Sequence, residues 1–354
     1  MSAISTESNL GTTAVREGFT LDRESLERWL VENVPDYRGP LSLEQFRGGQ
    51  SNPTYKLVTP QCAYVLRRKP SGPILKGAHA IEREARVLLV LEGVGFPVPH
   101  VHALCEKPSV IGAPFYVMDM VEGRIFWDAT LPGISPSDRF AVFDAMNEVI
   151  ARLHSIDYEA IGLGDFGRPG NFFERQIDRW SRQYLEDTAA GRDPHMDSLI
   201  EWLPTHIPST EETSIVHGDF RIDNLIFHPK EPRVLAVLDW ELSTLGHSGA
   251  DFAYHAMMYR TPPHIVAGLA GADIARLGVP DERQYLEAYC RRTGRAAMPE
   301  YDFYIAFNFF RLAAIFHGIK GRVLRGTASS AAAKERAAAF PELAALAYHQ
   351  AARF

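Results

Sequence analysis

Residues Ser214–Leu225 read SIVHGDFRIDNL, and their interpretation decides the fold. An apolar pair, Ile215 and Val216, runs into His217, Gly218 and Asp219, and Asn224 follows five positions after that aspartate. The stretch is too polar for a core and too regular for an idle loop. A little further on, VLAVLDW places Asp239 at the end of a second apolar run. Asn224 and Asp239 are oxygen ligands suited to a hard cation such as Mg²⁺. Asp219 is then left to accept a proton from an attacking hydroxyl. These are the parts of phosphoryl transfer from a nucleotide. A bare His-Gly-Asp is more often an Asx-capped turn; the spacing to Asn224 and the delivery of Asp239 from an apolar strand argue against that here.

The upstream half supplies complementary groups. RGGQSN (residues 47–52) lies between two β-like runs, where Gly48 and Gly49 allow close backbone approach to phosphates and Ser51 can donate a hydrogen bond. YVLR sets a cation, Arg67, at the end of the next strand, and IEREARVLL offers Glu82 and Glu84 on the following helix. Two residues apart, these glutamates face different sides, so only one can partner the cation.

The rest of the chain bounds the reading. The 354 residues are 46% hydrophobic and 23% charged, with a formal net charge of −7, which gives no support to nucleic-acid binding. Cys62, Cys105 and Cys290 form no C-x-x-C motif, which suits a reducing compartment. No secretory leader is read at MSAISTESNL, and a cytoplasmic location is expected. The longest apolar stretch, residues 303–316, is too short to span a membrane and contains Asn308 and Arg311; it reads as a buried helix. Patterning predicts a tail over residues 1–18, a helix capped by Thr20 or Asp22, then short strands and one helix. After Gly123 the pattern is mainly helical, broken by NLIFH and VLAVLDW, and an Ala-rich stretch at 328–346 fits a further helix.

Taken together, these motifs resemble the aminoglycoside phosphotransferase family, a branch of the protein-kinase-like fold. They are especially similar to the kinase-like domains fused to some acyl-CoA dehydrogenases. The resemblance implies an α+β, two-lobed fold: a small lobe at 19–121 with five antiparallel strands and one helix, a helical lobe at 122–354, and the site between them. It implies Asp219 as catalytic base, Asn224 and Asp239 as Mg²⁺ ligands, and Gly48, Gly49 and Ser51 over the phosphates of ATP, with GTP left open. It also implies Arg67 as the phosphate cation and Glu84 as its partner. YVMDMVEG (residues 116–123) implies an adenine-holding linker near Asp119 to Val121, and GHSGADFAYH (residues 246–255) implies that Asp251 braces the catalytic loop. His217 supports the loop through backbone hydrogen bonds. One departure is the Arg at position 67 where most of the family carries Lys; Lys69, on the same side of the strand, is a competing candidate.

The reading that follows is a small-molecule kinase acting on a hydroxyl, with neither nucleic acid nor membrane as partner. The acceptor expected is a metabolite such as a hydroxyacyl-CoA. The alternatives are an aminoglycoside or macrolide phosphotransferase, and a nucleotide-binding module without transfer activity. A hydrolase built on His217 and Asp219 lacks a G-x-S-x-G elbow. Charge bears on the acceptor: residues 159–212 carry 11 acidic against 5 basic side chains, and residues 255–354 carry 8 against 13, including Arg291, Arg292, Lys320, Arg322 and Arg325. Oligomeric state is not legible.

Overall fold

The computed structural model describes residues 11–47, 52–70, 80–328 and 332–354. The chain divides into two compact units.

The first unit comprises Met1–Trp127, Ile161–Leu163 and Asp223–Leu242. Its elements begin with β1 (Thr12–Thr13), α1 (Arg23–Asn33), β2 (Ser42–Phe46), β3 (Thr54–Val58) and β4 (Ala63–Arg68). Then come α2 (Ile81–Gly93), β5 (Val101–Cys105) and β6 (Phe115–Asp119). Asp22 caps α1 by accepting from the Ser25 N–H at 3.0 Å. The sheet is antiparallel with order β1-β2-β3-β4-β6-β5. Strand alternation sends Tyr64 and Leu66 of β4 into the core with Leu26 and Leu30 of α1, and turns Arg67 the other way, toward Glu84 on α2.

Among the described residues the sheet therefore has six strands, not five, and its unit holds two α-helices, not one. The extra strand lies inside the expected tail. It is held by hydrogen bonds: Thr12 and Thr13 pair with Phe46 and Gln45, and the buried Gln45 accepts from Arg16 N and Nε at 3.1 Å.

After β7 (Ser214–Val216), a hairpin completes this first unit from far along the chain: β8 (Leu225–Phe227) and β9 (Val234–Val237) pair antiparallel. This hairpin is grouped with the sheet unit. Phe227 exchanges both backbone hydrogen bonds with Arg124 at 2.8 Å, and Val237 N donates to Pro97 O at 2.8 Å. A Cβ on Gly123 would lie 2.3 Å from Phe227 O, so only glycine permits this approach.

The second unit comprises Asp128–Ala160, Gly164–Ile222 and Ser243–Phe354. It contains α3 (Pro136–His154), α4 (Phe172–Glu186), α5 (Pro194–Thr205), β7 (Ser214–Val216) and β10 (Thr244–Gly246). After these come α6 (Ser248–Ala256), α7 (Ile274–Leu277), α8 (Glu282–Arg292), α9 (Tyr301–Leu324) and α10 (Ala333–Ala351). Ser135 caps α3 and an Asp281–Gln284 capping box starts α8. Residues 303–316 fall within α9, buried along most of its length as the sequence predicted, and α10 packs on it. Strands β7 and β10 pair antiparallel, with Val216 opposite Thr244. No helix among the described residues is long and apolar enough to cross a membrane.

Candidate functional site

In the first unit the candidate groups gather around Arg67. Its Nε lies 3.1 Å from Glu84 Oε2, and its Nη2 lies 2.6 Å from Asp239 Oδ1 and 3.4 Å from Glu241 Oε2. Arg67 and Glu84 are both buried. Burial alone would lower the Arg67 pKa, but three neighbouring carboxylates raise it, so the guanidinium stays charged. Burial pushes Glu84 up to about 7, with Asp239 and Glu241 adding to the rise; Arg67 and a hydrogen bond from Tyr116 oppose it. Of the two helix glutamates it is Glu84 that meets the strand cation. Arg67, not Lys69, makes this contact.

The hairpin explains how Asn224 and Asp239 come together. Leu225 pairs with Val237, so the residues just before β8 and just after β9 share one end. The Leu238 N–H donates to Asn224 O at 2.8 Å. Asp239 has a φ of +67°, a left-handed conformation uncommon for a non-glycine residue and frequent at functional positions. One carboxylate and one amide at a hairpin end form an oxygen donor set that fits Mg²⁺, which commonly completes its shell with phosphates and water. Glu241, unassigned from sequence though it stands in VLDWE, also accepts from Asn52 Nδ2 at 3.1 Å.

The linker is less open than expected. Asp119 N donates to His100 O at 2.9 Å, and its carboxylate lies 2.7 Å from His102 Nε2. The N–H and the carboxylate of Asp119 are thus engaged, and the adenine-holding expectation for Asp119 to Val121 falls on the remaining backbone groups. Gly48, Gly49 and Ser51 lie outside the described residues.

In the second unit the loop after β7 is clamped from below. Asp251 on α6, buried, accepts from His217 N at 2.7 Å and Gly218 N at 2.8 Å. His154 Nε2 lies 3.1 Å from the same carboxylate, and its Nδ1 lies 2.8 Å from Tyr289 Oη. Burial disfavours the charge on Asp251, but His154, His217 and the backbone donors outweigh it and hold the pKa below its ordinary value. The His217 Nδ1 accepts from Asp219 N at 3.2 Å, the supporting role expected of it.

Three residues around Asp219 were not singled out by sequence. The buried Tyr254 hydroxyl donates to Asp219 Oδ1. Arg221 Nε lies 3.5 Å from the same oxygen. Arg311 Nη2 donates to Gly218 O at 2.8 Å, and its guanidinium lies 5.0 Å from the Tyr254 ring centroid. Tyr254 stands in GADFAYH, three residues after Asp251, and was legible only as a buried helix position.

Of the basic residues named for the C-terminal region, two have carboxylate partners among the described residues. Arg292 lies 2.7 Å from Asp144, and Arg325 lies 2.6 Å from Asp187.

A small antiparallel sheet unit with a helix carboxylate on a strand cation, and a larger helical unit with a braced His-Gly-Asp loop, define a protein-kinase-like fold. The sequence profile of the phosphotransferase enzyme family matches residues 42–304, and the chain belongs to that family. A crystal structure from Ralstonia eutropha jmp134, provisionally described as an aminoglycoside phosphotransferase, is 52% identical. It superposes with a TM-score of 0.87 over 94% of this chain and 99% of that one. Acyl-CoA dehydrogenase family member 10 of Mus musculus is 45% identical over 95% of this chain but only 32% of its own length. The chain thus spans about a third of that relative. Choline kinase from Cryptosporidium parvum shares the fold, with 13% identity and a TM-score of 0.60 over 94% of this chain and 95% of that one.

Proposed function

We propose that this chain is an ATP- and Mg²⁺-dependent small-molecule kinase that transfers the γ-phosphate to a hydroxyl group. The observation that carries the reading is the Arg67 cluster: a buried cation held at 3.1 Å by Glu84 and 2.6 Å by Asp239. Arg67 binds nucleotide phosphates, fixed in place by Glu84, whose own orientation Tyr116 supports. Asn224 and Asp239 hold Mg²⁺, which offsets the negative charge of the phosphates during transfer. Asp219 accepts the acceptor's proton, and the Tyr254 hydroxyl, donating to its Oδ1, orients it. Asp251 keeps the backbone of this loop in register.

The acceptor proposed is a hydroxylated metabolite, with hydroxyacyl-CoA as the leading member. The similarity to a protein named as an acyl-CoA dehydrogenase family member supports this class. An antibiotic acceptor is the second reading, supported by the Ralstonia relative's description. The test is an ATP-consumption screen of the purified protein against hydroxyacyl-CoAs, aminoglycosides, macrolides and amino alcohols. Phosphorylation of kanamycin at a kcat/KM of about 10⁴ M⁻¹s⁻¹, with none on hydroxyacyl-CoAs, would overturn the preferred acceptor. No turnover with any class, alongside tight ATP binding, would instead favour a nucleotide-binding module.

A further inference from the structure

Most C-terminal arginines with described side-chain contacts are neutralised. Besides Arg292 and Arg325, Arg295 lies 2.7 Å from Glu212, and Arg260 lies 2.7 Å from Glu282 and 2.5 Å from Asp302. Arg311 differs. It is fixed by an uncharged carbonyl, Gly218 O, and by the Tyr254 ring, and neither removes its charge. No carboxylate pairs with it among the described residues.

A second guanidinium stands level with it. Helices α4 and α9 run side by side in the same direction: Phe173 meets Phe303 and Phe307 with ring centroids at 5.3 and 5.2 Å. Ten residues on, Gln183 Nε2 donates to Ala314 O at 3.3 Å. Arg179 lies between these two contacts on α4, opposite Arg311 on α9. It covers the Trp180 ring at 4.9 Å and has no carboxylate partner among the described residues. Partial removal from water and the charge of Arg311 hold its pKa below the ordinary value. The neighbouring acid on its helix, Asp178, is bound to Arg182.

Two like charges at the same level of neighbouring helices, with no carboxylate paired to either among the described residues, repel, and the fold ties one of them to the loop that carries Asp219. An incoming anion would relieve that repulsion, and a polycation would add to it. We propose that Arg311 and Arg179 form a subsite for an anionic group of the acceptor, a carboxylate or phosphate, near the hydroxyl that receives the phosphoryl group. This rests on the reading of Asp219 as the proton acceptor. It makes Arg179, on a helix the sequence reading treated as acidic, a specificity-determining residue.

The test compares 3-hydroxybutyrate with its neutral methyl ester as acceptors, using the full chain and the variants Arg179→Gln and Arg311→Gln. Arg179 does not touch the Asp219 loop, so its variant separates anion recognition from loop damage. Arg179→Gln is expected to raise the KM for the acid about tenfold, leaving kcat and the ester unchanged. Arg311→Gln is expected to raise the same KM and also lower kcat. Equal kinetics for acid and ester in the unaltered protein, or equal effects of Arg179→Gln on both, would overturn the subsite. Calorimetric binding of 3-hydroxybutyrate decides the matter separately. Weaker binding to Arg179→Gln supports the subsite even if no acceptor is phosphorylated, an outcome that would count against the kinase reading alone. Binding unaffected by either substitution refutes the subsite whatever the kinase assay shows.

Discussion

Replacing Asp251 by Asn keeps its shape and removes its charge. The carboxylate receives three donors on two oxygens: Gly218 N on Oδ1, and His217 N with His154 Nε2 on Oδ2. An Asn has one oxygen. The better orientation keeps that oxygen on His217 and His154 and turns the NH₂ group toward the Gly218 N–H, donor against donor. Leaving that buried amide unmet costs about 1–3 kcal/mol, and weakening the two remaining charge-assisted bonds costs about 1 kcal/mol each. The expected loss is therefore about 4 kcal/mol, a large share of the roughly 5–15 kcal/mol that holds a typical domain together. Because the fold lowers the Asp251 pKa, its stabilisation is complete above the unfolded value of about 3.9 and is lost as pH falls through the lower folded value. Denaturant titrations should show a constant gap between the two proteins from pH 7 to 5 that closes under strong acid. In kinetics, a shift of the loop by about 1 Å should cut kcat about 10²-fold. ATP affinity should not change, because Arg67 and Asp239 belong to the other unit. A gap under about 1 kcal/mol at pH 7, or one that widens in acid, would refute the clamp.

Three further outcomes follow from the same geometry. Asp219→Ala should lower turnover by about 10²–10⁴ with ATP binding retained, while Asp239→Ala should abolish the Mg²⁺ dependence of nucleotide binding; matched effects on ATP affinity would refute this division. Arg67→Lys keeps the charge but loses the fork that reaches Glu84 and Asp239, so the KM for ATP should rise about tenfold with the acceptor KM unchanged, and an unaltered ATP KM would remove Arg67 from phosphate binding. Burial lowers His255 to about 4: the folded protein holds it neutral, the unfolded chain protonates it below about 6.5, and stability falls by roughly 3 kcal/mol as pH drops from 6.5 to 4. His247, lowered to about 4 mainly by burial, acts in the same window, so His255→Gln should flatten only part of the slope measured by thermal melts.

The motif set was legible because its residues occupy fixed places along short strands and turns. Arg67 and Glu84 could be paired from spacing and resemblance. The edge strand at Thr12–Thr13 could not, because it is held by Gln45 and carries no apolar alternation. The hairpin's packing on the sheet unit was hidden for another reason: the bonds between Arg124 and Phe227, and from Val237 N to Pro97 O, join positions more than a hundred residues apart. Charge counting by segment misled in a third way. It gave weight to Arg292 and Arg325, which Asp144 and Asp187 neutralise, and discounted Arg179, which lies in an acidic stretch yet faces Arg311.

The late arrival of the β8–β9 hairpin has a consequence for biosynthesis. When residues 1–127 have left the ribosome, Arg67 and Glu84 are present but Asp239 and Glu241 are not yet made. The sheet unit must wait through the translation of α3, α4 and α5 before its last two strands exist. A nascent chain in this interval leaves Phe96 without the Trp240 ring that later packs on it, and exposed apolar surface of this kind marks a client for chaperones. A fragment ending at Trp127 should accordingly be cut rapidly by protease, where the full chain resists; equal resistance would mean that the sheet closes without its hairpin.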